Sequence, residues 1–327
     1  MILNQWYAIA SSKEVKNDKV LGLKRLNLEL VLYRENGKVK VLEDKCCHRG
    51  AALSKGKKVN NCIQCPFHGI EFAGDGSSKY IPAEGKAFQK SLNRFKVKSY
   101  QVVEQDGIIF IWYGDEEPTI QPPHFEVIRN SNLKMKEKTD VWNAHYSRVI
   151  ENQLDTIHLP FVHHNTIGRG NKTLVNGPKV TWIDENTLQT SANNDLDNGQ
   201  QPLKPEESII KDTNLTFKYP NIWLNHVSDK ILIMIFFAPI DDSNTKLYLR
   251  FYNSITGIGI VDSIISWFGK FANNIVQKQD KRVVITQKPK ASGLKVGEKL
   301  LVGDKPIIEY RKRREELKNI KKNDIES

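Results

Sequence analysis

The sequence is poor in cysteine. Its 327 residues contain only four, all between positions 46 and 65. A disulfide framework would spread cysteines along the chain, so a disulfide-stapled fold is excluded. The N-terminus, MILNQWYAIASSKEV, lacks the basic start and apolar core of a secretory leader. A long unbroken apolar run is also missing. The most hydrophobic stretch, 255–275, is interrupted by Asp262, Lys270 and several Ser and Gly residues. Its apolar residues Val261, Ile264, Ile265, Phe268, Phe271 and Ile275 recur at three and four, which predicts an amphipathic helix facing a core rather than a bilayer span. These absences place the expected protein in the cytoplasm with no membrane partner, and no internal repeat is visible.

Acidic residues are the minority among the charges. Lys and Arg number 49 against 38 Asp and Glu, a net charge of +11. A nucleic-acid surface would cluster basic residues with aromatics on one face. The one dense cluster, 310–318, mixes both signs like a solvated helix, so nucleic acid is not an expected partner. A basic surface would instead steer an acidic electron-transfer protein.

The length suits two domains. Residues up to about 115 read as strands, at 6–10, 28–35 and 39–44, with Asn36-Gly37 a turn signal between the last two. Asp106-Gly107 between two β-rich runs predicts a hairpin with a type I′ turn. The proline-bearing stretch 115–123 has no periodicity and reads as a linker. The expected domains are therefore 1–117 and 118–327. The second shows a helical stretch at about 144–159, strand candidates at 180–184, 187–191, 214–219, 231–237 and 247–253, and a long helix at about 261–287. The predicted class is α+β, with an all-β N-terminal domain and a C-terminal antiparallel sheet covered by helices. The polar segment 193–212 reads as a loop.

The cysteines stand among histidines. Cys46-Cys47-His48-Arg49-Gly50 and Cys65-Pro66-Phe67-His68-Gly69 give Cys-x-His, sixteen residues, then Cys-x-x-His. Each short motif offers one thiolate and one imidazole. Two such loops can hold two irons, both cysteines on one and both histidines on the other, and neutral imidazoles then raise the potential of the reducible iron. The rival is a structural zinc with two Cys and two His, which ordinarily places the cysteine pair first and the histidine pair after. Gly50 and Gly69 stand where tight loops must turn. Cys47 and Cys62 fall outside the spacing and read as small buried thiols.

These motifs, C-x-H-R-G and C-P-F-H-G, resemble the Rieske domain of ring-hydroxylating oxygenases, in the short alpha-only type. The resemblance implies Cys46, His48, Cys65 and His68 as ligands of a [2Fe–2S] cluster. Ala51 and Phe67 stand where respiratory Rieske proteins usually carry a bridging cysteine pair, which favours the oxygenase type. Ile70 departs from the Trp that many oxygenases have at that place.

Residues 151–164 carry a second constellation. Asn152, Asp155 and His158 are spaced by three, so a helix would put them on one side, with Pro160 ending or kinking it. His163 follows. Two histidines and a carboxylate can form the facial triad of non-haem Fe(II) oxygenases, although a histidine pair alone can equally be a satisfied pair at a polar helix end. The run N-x-x-D-x-x-H-x-x-x-x-H is similar to the catalytic motif of the same family. The resemblance implies His158 and His163 as Fe(II) ligands, with His164 the alternative if the loop register shifts. It implies Asp280, in 276–287, as the third ligand, where the bland reading is an exposed helix aspartate. It implies Asp155 as a bridge from a ligand histidine on its own side, His158, to a cluster histidine, His68, across a subunit boundary in a homotrimer, and Asn152 as a hydrogen-bonding support. The family implies O2, a small organic substrate, and electrons from a ferredoxin or an NAD(P)H-dependent reductase, with hydroxylation or demethylation by mono- or dioxygenation as the outcome. His145, Tyr146 and Arg148 are left without an assigned role.

Overall fold

Asp106 and Gly107 both adopt positive φ, 52° and 68°, joining Val102–Gln105 to Ile108–Tyr113 in a tight hairpin. This is the left-handed geometry that a type I′ turn demands and that Asp-Gly accepts at low cost. The computed structural model describes residues 1–86, 92–129 and 133–325. The chain divides into two units, one of residues 4–122 with 239–241 and the other of 1–3, 123–238 and 242–327.

The first unit is built from short antiparallel strands. Gln5–Ser11 pairs with Ile108–Tyr113, which also pairs with Val102–Gln105. Leu21–Arg25, Leu28–Glu35, Lys38–Glu43 and Ser99–Tyr100 form a four-stranded sheet in that order. A smaller sheet of Lys57–Val59, Cys62–Gln64, Glu71–Phe72 and Ser78–Tyr80 carries the loop 65–69 between its two middle strands. Val31, Tyr33, Leu42, Leu53, Ile63 and Phe72 form the core under both loops, and Cys46, Cys65 and Ile70 belong to the same cluster. Ile70 is therefore a packing residue behind the loops.

In the second unit seven antiparallel strands run in the order Lys134–Trp142, Thr245–Asn253, Ile231–Pro239, Ile222–Ser228, Asn214–Lys218, Thr187–Ser191, Val180–Asp184. Among the described residues five α-helices accompany them: α1 (Glu126–Arg129), α2 (Tyr146–Leu154), α3 (Leu159–Val162), α4 (Gly259–Val284) and α5 (Lys305–Ile325). Trp142, Val149, Ile150, Leu154, Phe217, Phe237 and Tyr310 share one core, each such side chain contributing roughly 1.5–3 kcal/mol by burial. A buried ionic network ties α2 to α5. Arg311 Nε lies 2.8 Å from Glu151 Oε1, Arg311 Nη2 2.7 Å from Glu298 Oε2, and Arg148 Nη2 2.6 Å from Glu298 Oε1.

Four sequence expectations change here. The helix expected over 144–159 is two helices. Asp155 leaves the helical region (φ −86°, ψ 125°) and its Oδ1 accepts from the Ile157 amide at 2.6 Å. Pro160 then opens α3 instead of ending a helix, since an N–H is not needed in a first turn. Two strands of the seven-stranded sheet, Lys134–Trp142 and Ile222–Ser228, were not foreseen. The former, KMKEKTDVW, is an edge strand, where lysines discourage further pairing and blunt the alternating pattern. Cys62 is buried as expected, but Cys47 is exposed.

The fourth concerns α4. Its helix forms where the periodicity places it, but turned the other way. Asp262, Ser266, Gln277 and Asp280 are buried, whereas Ile264, Phe268, Phe271 and Ile275 are 44–62% exposed. Polar bonds hold this orientation. Asp262 Oδ1 accepts from the Thr256 amide at 2.9 Å, Ser266 Oγ accepts from Asn253 Nδ2 at 2.6 Å, and Ser266 Oγ donates to the Lys134 carbonyl at 3.0 Å. Gly269 permits the approach, because a Cβ there would stand 2.6 Å from the Phe251 ring.

Candidate metal centres

The loops 46–50 and 65–69 are built alike. Each cysteine amide donates to the carbonyl five residues on, Cys46 to Ala51 at 2.8 Å and Cys65 to Ile70 at 2.8 Å. Each loop glycine amide donates back, Gly50 to the Cys46 carbonyl at 2.8 Å and Gly69 to that of Cys65 at 3.1 Å. Both glycines have φ of 74°, a conformation that a residue with a Cβ adopts only under strain. The paired turns bring the His48 and His68 rings to 4.6 Å between centroids. Cys46 and Cys65 are buried, and both histidines are exposed. Burial pushes the Cys46 thiol up to about 11, the His48 amide working against the shift and Cys65 adding to it. Two buried thiols and two exposed imidazoles carried on paired loops fit a [2Fe–2S] group, whose irons would hold the sulfurs as thiolates.

The second centre draws on α2–α3 and α4. The break at Asp155 and the short α3 set His158 and His163 side by side, ring centroids 5.2 Å apart. Asp280 comes from the buried face of α4. Its Oδ1 lies 2.9 Å from His163 Nε2 and 3.3 Å from His158 Nε2, and one ligand atom from each of the three residues lies within 4.8 Å of the others. Asp280 Oδ1 is nevertheless buried without a hydrogen bond. Three donors aimed at one point, with an orphaned carboxylate oxygen among them, fit a metal ion better than a self-satisfied cluster. The exposed-aspartate reading of Asp280 is corrected, since the residue is 3% exposed. His164 is exposed and turned to the Phe161 carbonyl at 3.1 Å, away from this cluster.

Electrostatics agree with a cation. Burial works against charge on His158, but Asp155 and Asp280 outweigh it and hold the imidazole up at about 9. Burial raises Asp280, yet the two histidines more than offset it and its carboxyl falls below the usual range. The carboxylates therefore favour positive charge beside them, which a metal cation would supply.

The outer nitrogens are positioned too. His163 Nδ1 lies 2.8 Å from Gln279 Oε1, which also accepts from Thr166 Oγ1 at 2.9 Å, while Gln279 Nε2 donates to Asn165 Oδ1 at 2.7 Å. Gln279 was missed in the sequence, where one amide in a charged helix gives no signal. His158 Nδ1 lies 3.4 Å from Asp155 Oδ2, too poorly aligned for a hydrogen bond. Asn152 holds a buried Nδ2 without a partner. So does Gln277 Nε2, one turn before Asp280, and Asn273 Nδ2 behind it.

Residues 5–101 match the family model of the Rieske [2Fe-2S] domain, and residues 142–319 that of the vanillate O-demethylase oxygenase C-terminal domain. The chain belongs to the Rieske non-haem iron oxygenase alpha-subunit family. It is 31% identical over 170 residues to the toluene-4-sulfonate monooxygenase system iron-sulfur subunit TsaM1 of Comamonas testosteroni, covering 51% of this chain and 48% of that protein. It is 27% identical over 308 residues to the methylxanthine N1-demethylase NdmA of Pseudomonas putida, covering 92% of this chain and 84% of the relative. The NdmA structure has the same fold, with a TM-score of 0.80 at 22% identity over 98% of this chain and 92% of that one. The chain spans about half the length, or less, of several curated relatives that it matches. No helix among the described residues is long and apolar enough to cross a membrane.

Proposed function

We propose that this chain is the oxygenase component of a Rieske system that uses O2 and electrons from a ferredoxin or an NAD(P)H-dependent reductase to hydroxylate or oxidatively demethylate a small organic substrate. The observation that carries this reading is the convergence of His158, His163 and Asp280 in a chain that also holds the paired Cys-His loops. Relatives described as an oxygenase component and as a system iron-sulfur subunit support a separate electron donor.

In this reading residues 1–117 receive electrons at Cys46, His48, Cys65 and His68, and residues 118–327 perform the oxidation in the cytoplasm. His158, His163 and Asp280 would hold a ferrous ion, which when bound would supply the chemistry for activating dioxygen. Gln279, accepting from Nδ1–H, keeps His163 Nε2 free to ligate, and the Asp155 carboxylate, 3.4 Å from His158 Nδ1, favours the same tautomer at His158 by its charge. Asp155 also reaches the partner subunit's His68 in a head-to-tail homotrimer, and Asn152 supports the site through its free amide. Gln277 and Asn273 offer unpartnered N–H groups on the same face of α4 as Asp280, suited to a substrate with carbonyl or carboxylate oxygens. Both mono- and dioxygenation fit these groups.

Metal analysis tests the proposal. The purified chain should carry about three irons and two acid-labile sulfides, a brown cluster plus one further iron. Two irons would leave an electron-transfer protein, and a colourless zinc protein would remove the reading altogether.

A further inference from the structure

We propose that the outward face of α4 seats the protein on an anionic lipid surface. The inference stands apart from the chemistry of the metal centres. In most surface helices the apolar stripe faces the core. Here the first half of α4 is inverted. Ile260 (77% exposed), Ile264 (53%), Trp267 (47%), Phe268 (62%) and Ile275 (54%) all look outward, with Ile258 (61%) just before the helix. Trp267 and Phe268 lie with ring centroids 5.0 Å apart, and Trp267 and Phe271 4.6 Å, so the aromatics form a continuous ridge. The row from Ile260 to Ile275 is about 24 Å long. Isolated exposed apolar residues need no explanation, but a ridge of this length marks a contact.

Charge selects the occupant. The groove beside the ridge is lined by Lys134 and Lys136 from the edge strand together with Ile258, Ile264, Trp267 and Phe268. Lys138 places its Nζ 5.7 Å from the Phe271 ring centroid. The neighbouring acids are withdrawn. Asp262 is 2% exposed and bonded to Thr256, Glu137 is paired with Arg250 at 2.8 Å, and Asp140 with Lys281 at 3.1 Å. Among the described residues no ion pair engages Lys134, Lys136 or Lys138. A symmetric contact with a second copy would set lysine against lysine, and a head-to-tail contact would set these lysines against a partner that also carries a net charge of +11. An aromatic and aliphatic ridge rimmed by unpaired lysines is the pattern of a helix lying in the headgroup region of an anionic bilayer, apolar side down. The mode is peripheral and reversible, and it runs against the expectation of no membrane partner.

Sedimentation of the holoenzyme with lipid vesicles tests this. Phosphatidylcholine vesicles carrying roughly one third phosphatidylserine should pellet the protein, less so as salt rises, and pure phosphatidylcholine should not. Ile264→Ser with Phe268→Ser should weaken the apparent affinity at least about tenfold while leaving cluster absorbance unchanged. Lys134→Glu with Lys136→Glu should do the same, and it keeps the test valid should the serine pair disturb folding. Failure of the native protein to pellet, or pelleting unaffected by either pair, overturns the proposal. So does a change of oligomeric state in the serine pair without vesicle binding by the native protein, which assigns the face to a second copy.

Discussion

An imidazole ligates through one nitrogen, and the partner of the other nitrogen decides which. At His163 that partner is Gln279, held in turn by Thr166 and Asn165. Gln279→Leu should therefore weaken iron binding at the second centre about 10–100-fold, read by chelator competition, while the cluster spectrum stays unchanged. Asp155→Asn keeps an acceptor for the Ile157 amide and removes the charge beside His158. It should retain both metals and lose turnover at least about 100-fold, and normal turnover would refute the bridging role. His145 tests a different property. Burial, then Arg314 and the N-terminus, depress it to about 3, so it is neutral in the folded protein and protonates on unfolding. The unfolded chain binds the extra proton between its ordinary pKa of 6.5 and about 3, so stability falls as pH drops through that window. His145→Gln should flatten that slope in melts taken across the range.

Among the elements, α2 and α5 meet through Glu151, Arg148, Arg311 and Glu298, and α2 leads into the segment that places Asp155 and His158. Removing one partner leaves a buried charge uncompensated. Glu151→Ala should cost about 3–5 kcal/mol in a denaturant titration, well beyond the loss expected from a surface pair. The helices also show what a sequence can and cannot reveal. The periodicity of 261–275 was legible and the helix is there, but periodicity marks an amphipathic element without saying which face is covered. Asp262, Ser266 and Asp280 decide that through hydrogen bonds and ligand geometry contributed by residues far away in sequence. The charged strand Lys134–Trp142 hid for a related reason, because an edge strand has little need to alternate. By contrast the turns of the Cys-x-His and Cys-x-x-His loops were legible apart from the exposure of Cys47, since their spacing is local and each turn is closed by its own glycine.

At the scale of the molecule the two candidate centres occupy separate units, and each is assembled by a different kind of information. The first comes from two neighbouring loops. The second needs a helix arriving more than a hundred residues later, which is why Asp280 could be named only through resemblance until its Oδ1 stood 2.9 Å from His163 Nε2. A net charge of +11 would draw in an acidic electron donor, so reduction by a ferredoxin should slow steeply with rising salt, and a flat response would dismiss that steering. Two iron centres in one oxygenase chain can be counted, as iron and sulfide in the native protein and in Asp280→Ala. The native chain should carry about three irons and two sulfides, and the variant should lose about one iron and keep both sulfides. Equal iron in the two proteins, or two irons in the native chain, would contradict the presence of two centres.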